Sequence, residues 1–220
     1  MAVSGQVFQP RFQDLPRELA VFPLSGVLLL PGGHLPLNIF EPRYLAMTLD
    51  ALGQGRMFAM VEPRKPDEDP SPLHDVACLG RIVAFNETND GRLMITLHGV
   101  TRLRIVEEIE GKDGYRRVRA DYGPYADDLN PPPDTLGIDR EAFMTSLKAY
   151  AGTHGLSFNW SAIGDVSDSA LVTALCMACP FEPPEKQALL ESETARDRAE
   201  LLHGLLRMGA ITAFSGGATQ

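Results

Sequence analysis

The residue types able to carry chemistry are few in this chain, and their spacing sorts them. Cys176 and Cys179 form a C-x-x-C pair, the spacing of a redox dithiol or of half a zinc site. A redox pair belongs at a helix N-terminus, where the helix dipole favours the thiolate. This pair instead precedes Pro180, at the predicted end of a helix, which disfavours thiolate chemistry. The third cysteine, Cys78, and the scattered His34, His74, His98, His154 and His203 offer no second ligand pair. No metal site and no cofactor is predicted, and the cysteines read as small hydrophobes.

His74-Asp75 with Cys78 has the composition of a nucleophile and its base. The three fall at a loop-to-strand junction, where the histidine and the cysteine need not face one another, so a solvent-facing or satisfied histidine is the simpler reading. Asp67, Glu68 and Asp69 lack the glycine-punctuated spacing of a calcium loop and read as a solvated loop, as do Asp127 and Asp128. There is no G-x-x-x-x-G-K-[ST] phosphate cradle, and none of the four lysines sits in a peptidase-like context. No catalytic residue is assigned.

The remaining candidates are residues suited to gripping a peptide. Glu41, Arg43 and Tyr44, next to Phe40, place a carboxylate and a guanidinium beside aromatic rings. The same residues also suit a structural joint, because Glu41 stands near the positive end of a predicted helix and can pair with Arg43. Arg102 and Arg104 alternate with Leu103 and Ile105 and are divided between a solvated face and a groove lining. Phe40, Glu41, Arg43, Tyr44, Arg102 and Arg104 are therefore the peptide-binding candidates.

These residues must be positioned by a β-rich first half. In residues 19–52 two apolar runs lead to a Pro31-Gly32-Gly33 turn, and Leu35, Leu37 and Ile39 alternate as one face of a strand. Pro42 fits a first helical position, and Leu45, Leu49 and Leu52 follow on one helical face. Residues 57–61 read as a buried strand, 62–72 as a loop rich in proline and charge, and 76–97 as a hairpin with a longer loop. Gly99 marks a bulge or bend, and residues 111–114 turn the chain into a last strand ending at Tyr122. The run Pro131-Pro132-Pro133 sits in a predicted linker and suits extended backbone.

Beyond it, Phe143, Leu147 and Tyr150 make one helical face. A second helix is predicted to start with Asp168 or Ser169 as its cap and to bury Leu171, Val172, Leu175 and Cys176. A third starts at Pro183, and a fourth carries the stripe Leu201, Leu202, Leu205 and Met208. The expected organisation is an arm at 1–15, a β-rich unit at 16–123, a proline-rich linker at 124–138, a helical unit at 139–212 and a flexible tail at 213–220.

Several of these segments carry a family resemblance. VFPL, the run ending in PGG, LPLNIFEPRY and Met47 resemble the opening signature of the Lon protease N-terminal, substrate-recognising domain. LGRI at 79–82, DGR at 90–92 and HGVTRLRI at 98–105 recur in the expected order, so the similarity covers most of residues 19–122. The KQALLE-like element at 186–191 is similar to one found after such domains. The resemblance implies an α+β fold: a twisted antiparallel, barrel-like sheet of the PUA-like kind with one inserted helix, followed by a C-terminal helical bundle. Lacking the ATPase and peptidase signatures, the chain looks like a stand-alone domain of this family.

The function so implied is non-catalytic recognition of unfolded or extended protein segments, held in an apolar groove between sheet and helices, with a protease or chaperone as a partner. Two alternatives stand beside it: a metal-independent hydrolase using His74 or Cys78, and a nucleic-acid binder of PUA-like fold. The net charge of -9 argues against the latter, and the local arginines at 116, 117 and 119 read as a solvated strand face. No apolar run reaches the roughly 18 residues of a membrane span, no secretory signal is evident, and three cysteines make no closed disulfide framework. A cytoplasmic protein with no membrane partner is expected.

Overall fold

A computed structural model describes residues 10–130 and 133–215. The expectations for residues 1–9, Pro131, Pro132 and 216–220 lie outside the described residues. The strands are β1 (Glu18–Pro23), β2 (His34–Ile39), β3 (Met57–Val61), β4 (Val76–Glu87), β5 (Leu93–Lys112) and β6 (Tyr115–Asp121). The helices are α1 (Pro42–Gly53), α2 (Arg140–Thr153), α3 (Trp160–Gly164), α4 (Asp168–Ala178), α5 (Pro183–Glu191) and α6 (Ala195–Ser215). Contacts divide the chain into two units, Met1–Pro131 with Pro180–Leu190, and Pro132–Cys179 with Glu191–Gln220.

In the first unit the sheet order is β2-β5-β4-β3-β1-β6, and an additional β5–β6 pairing closes five of the strands on themselves. Length makes this possible: β5 pairs with β2 and β4 through its first half and with β4 and β6 through its second. The fold is α+β, as expected, with one difference. β1 and β3 run parallel, Val21 opposite Ala59, because β2 and α1 intervene and return the chain in the same direction. Inside the closure pack Leu19, Val21, Ala59, Val61, Leu79 and Leu103, all nearly inaccessible to water. Each of these Val and Leu side chains contributes about 1.5–3 kcal/mol by burial.

Residues 27–30 form no strand, although Leu28, Leu29 and Leu30 are buried. They cross the sheet where it offers no side chains: a Cβ on Gly99 would collide with the Leu30 carbonyl oxygen, and one on Gly80 would stand 2.9 Å from Leu29 Cδ2. The bulge expected near Gly99 is present, since Leu79 faces Thr101 while Gly80 faces Gly99, leaving Val100 extra. The tight β5–β6 turn uses Asp113 and Gly114, both at positive φ.

α1 starts with Pro42 as predicted, but the buried face is Tyr44, Met47, Thr48 and Ala51, and Leu49 is exposed. Tyr44 sets that rotation by packing its ring 4.1 Å from Phe22. The expected linker is partly helical. Gly123–Leu129 forms 3₁₀ turns that pack on β5. α5 also departs from the sequence reading, which placed it in the helical unit. It groups with the sheet through Lys186 Nζ to the Gly26 carbonyl (2.6 Å), Gln187 Nε2 to the Val76 carbonyl (3.2 Å) and Arg102 to the Leu190 carbonyl (3.3 Å).

In the second unit α2 packs along α6, and Asp139 caps α2 by accepting the Ala142 N–H at 3.0 Å. The α4 cap is Ser167, ahead of both expected positions, Asp168 and Ser169. Asp168 is buried and otherwise engaged, accepting from Arg140 (2.6 Å) and from the Leu136 N–H (3.0 Å). On α6 the buried stripe is Ala199, Leu202 and Leu206, and Met208 is exposed.

Candidate functional site

The six peptide-binding candidates do not form one site. Phe40 is 58% exposed at the end of β2, with the Arg92 guanidinium 5.7 Å from its ring centroid. Glu41 and Arg43 pair with each other at 3.0 Å at the start of α1. Tyr44 is buried, and burial raises its phenol pKa above the ordinary value. Arg102 is also buried. It donates fork to fork to Asp128 at 2.8 and 2.9 Å, and its guanidinium lies 4.6 Å from the Tyr125 centroid. Arg104 is exposed and stands opposite Asp121 in the strand register at the base of the β5–β6 ribbon, whereas Arg43 lies against Gly114 at its tip. Tyr44 and Arg102 are thus joints of the fold, and the surface candidates reduce to Phe40, Glu41, Arg43 and Arg104.

An edge that sequence reading missed lies near Phe40. β3 begins at Met57 opposite Arg81, so residues 83–87 of β4 have a strand neighbour on the β5 side alone. The Gly99 N–H donates to the Gly33 carbonyl at 2.9 Å, which fixes His34 and His98 as a non-hydrogen-bonded pair. Alternation from that pair directs Thr96 and Met94 towards Ala84 and Asn86, and leaves the backbone groups of Phe85 and Glu87 facing outward. All of residues 83–87 are exposed, including Val83 at 49% and Phe85 at 53%. Met94, 44% exposed, pairs with Asn38 two residues before Phe40. The other free edge, β2, is blunted: Pro36 occupies an outward-facing position, where its missing N–H costs the ladder nothing.

The edge escaped sequence reading because apolar residues at 83 and 85 continue a buried-strand pattern. The early end of β3 at the Gly55-Arg56 turn, both at positive φ, is what uncovers them.

The competing chemistries separate spatially. Cys78 is buried inside β4, and His74 lies outside it in the preceding segment. Cys78 is shut off from water there, so it offers no accessible nucleophile to a base at position 74. Cys176 and Cys179 are buried and form no disulfide, and burial pushes the Cys176 thiol up to about 12. Arg116, Arg117 and Arg119 are paired with Glu108, Glu18 and Glu107, so they present no row of unpaired cations. No group of three or more His, Cys, Asp or Glu gathers as metal ligands among the described residues. The register does bring His34 and His98 together, with ring centroids 4.7 Å apart.

The family model described as the ATP-dependent protease La (LON) substrate-binding domain matches residues 18–208. The chain belongs to this family.

Among Lon substrate-binding domain relatives, Lon protease 2 of Myxococcus xanthus is 27% identical over 203 residues, 88% of this chain and 24% of that protein. Lon protease of Phenylobacterium zucineum is 25% identical over 220 residues, 93% of this chain and 26% of that protein. The chain therefore spans about a quarter of the length of these relatives, and the family match lies on the substrate-binding domain and not on a catalytic one. In fold it is similar to a Lon N-terminal domain protein from Xanthomonas campestris, with TM-score 0.62 and 22% identity, covering 85% of this chain and 97% of that one. The N-terminal domain of Mycobacterium avium complex Lon protease gives TM-score 0.58 and 16% identity, covering 86% and 97%. Among the described residues no helix is long and apolar enough to cross a membrane.

Proposed function

We propose that this member of the Lon substrate-binding domain family is a non-catalytic recognition module for unfolded or extended protein segments, acting in the cytoplasm as an adaptor in protein quality control. Any proteolysis belongs to a partner protease or chaperone. The observation that carries this reading is the edge at residues 83–87, where outward backbone donors and acceptors run beside the exposed Val83 and Phe85. Such an edge accepts an added strand whatever its sequence, because the bonds are main chain to main chain, while apolar side chains supply affinity. Phe40 and Met94 are also exposed at this end of the sheet, Met94 on the opposite face by alternation from the Phe85–Ile95 pair.

The surface has no need of Glu41 or Arg43, which neutralise one another at the start of α1. Fluorescence anisotropy with a labelled, permanently unfolded polypeptide tests the reading. Saturable binding is expected, competed by other unfolded chains and not by a folded protein of similar charge. Absence of saturation with unfolded chains would sink it.

A further inference from the structure

The β2–β5 ladder places two histidines from distant parts of the sequence directly opposite one another. At a non-hydrogen-bonded pair the Cβ atoms stand about 4.5–5.5 Å apart, close enough for both side chains to reach a common point above the sheet. The rings of His34 and His98 are there, with centroids 4.7 Å apart and planes inclined at 42°. His98 Nδ1 is shut off from water and has no hydrogen-bond partner. A buried polar atom left in this way calls for a partner. His34 is exposed and leaves the pair open to solvent.

We infer that His34 and His98 form a two-imidazole site for a borderline divalent transition ion of the Zn²⁺, Ni²⁺ or Cu²⁺ class. Neutral imidazole is the ligand form that such ions take. An ion seated between the rings supplies the missing partner of Nδ1. Two protein ligands leave the remaining positions to water, and Arg81, opposite His98 on β4, adds a like charge nearby. The site is therefore open and binds more weakly than a closed four-ligand zinc centre.

The test is a ZnCl₂ titration of the full chain without peptide, followed by calorimetry and by long-range ¹H–¹⁵N correlation of the imidazole nitrogens. The His34 and His98 signals are expected to shift together and saturate near one equivalent, while those of His74, His154 and His203 stay fixed. MgCl₂, a hard ion that prefers oxygen, should leave all of them in place. His34→Ala, a change at an exposed position, should weaken Zn²⁺ binding on the order of tenfold or more with an unchanged circular dichroism spectrum. His98→Asn should do the same if it folds. Unaltered affinity in His34→Ala, shifts at other histidines, or no heat and no shift up to about 1 mM Zn²⁺ would overturn the assignment.

Discussion

Arg102 and Asp128, 26 residues apart, meet fork to fork in a nearly dry setting, their side chains 6% and 13% exposed. Burial disfavours the guanidinium charge, but the hydrogen bonds and charge of Asp128 outweigh it and raise the arginine pKa. Removing one partner strands a buried charge, so Asp128→Ala should cost about 3–5 kcal/mol in urea unfolding. Replacing both, as Arg102→Met with Asp128→Leu, removes the stranded charge and should cost far less. Equal losses in the two variants would mean that the pair acts through packing alone.

Gly99 is needed for a different reason, since its φ is not in the left-handed region and the requirement is space. A Cβ there would stand 2.7 Å from the Leu30 carbonyl carbon and 3.2 Å from the Pro31 nitrogen, both backbone atoms with little freedom to move. Gly99→Ala should destabilise by about 3 kcal/mol or prevent folding. Gly53→Ala, where a Cβ meets nothing within 4 Å, should change stability by about 0.5 kcal/mol or less. Thermal melts of the two variants make the comparison.

What the sequence revealed, and what it hid, follows from the range of each interaction. Pro42 opening α1 and Asp113-Gly114 turning β5 into β6 rest on local backbone rules, which residue types announce. The sequence leaves Arg102 between solvated face and groove because its acid lies beyond β6, within the 3₁₀ turns; alternation with Leu103 and Ile105 carries no trace of that contact. The docking of α5 on the sheet and the His34–His98 pair are equally non-local, set by strand register across a closed sheet. α1 is an intermediate case: its period was legible, but the face chosen by Tyr44 against Phe22 was not.

Alkaline pH should loosen the fold. Burial, first, raises the Cys176 thiol from 9.0 to about 12, and burial followed by the Asp50 hydrogen bond raises the Tyr115 phenol from 10.0 to about 12. Both groups ionise more readily in the unfolded chain, so the unfolded state releases protons first as pH rises. Their contribution is fully present below about pH 9 and lost as pH climbs towards about 12. Urea midpoints should hold between pH 7 and 8 and fall progressively above 9. In the native protein at pH 8 the three buried thiols should react slowly with a disulfide reagent, and all three quickly in denaturant. Rapid native reaction of Cys176 would contradict its burial.

The β4 edge makes a prediction about proline. The Phe85 N–H faces outward, so Phe85→Pro removes no ladder bond, whereas Ala84→Pro deletes a donor directed at Thr96 on β5. Phe85→Pro should therefore cost roughly 1 kcal/mol or less in stability, and Ala84→Pro clearly more. Binding should follow the opposite logic. An added strand needs the outward donor, and losing both that bond and the exposed ring should weaken capture of an unfolded polypeptide by about tenfold, or 1.4 kcal/mol. A Phe85→Pro protein that remains folded by circular dichroism and binds unfolded chains with unchanged affinity would move the recognition surface away from residues 83–87.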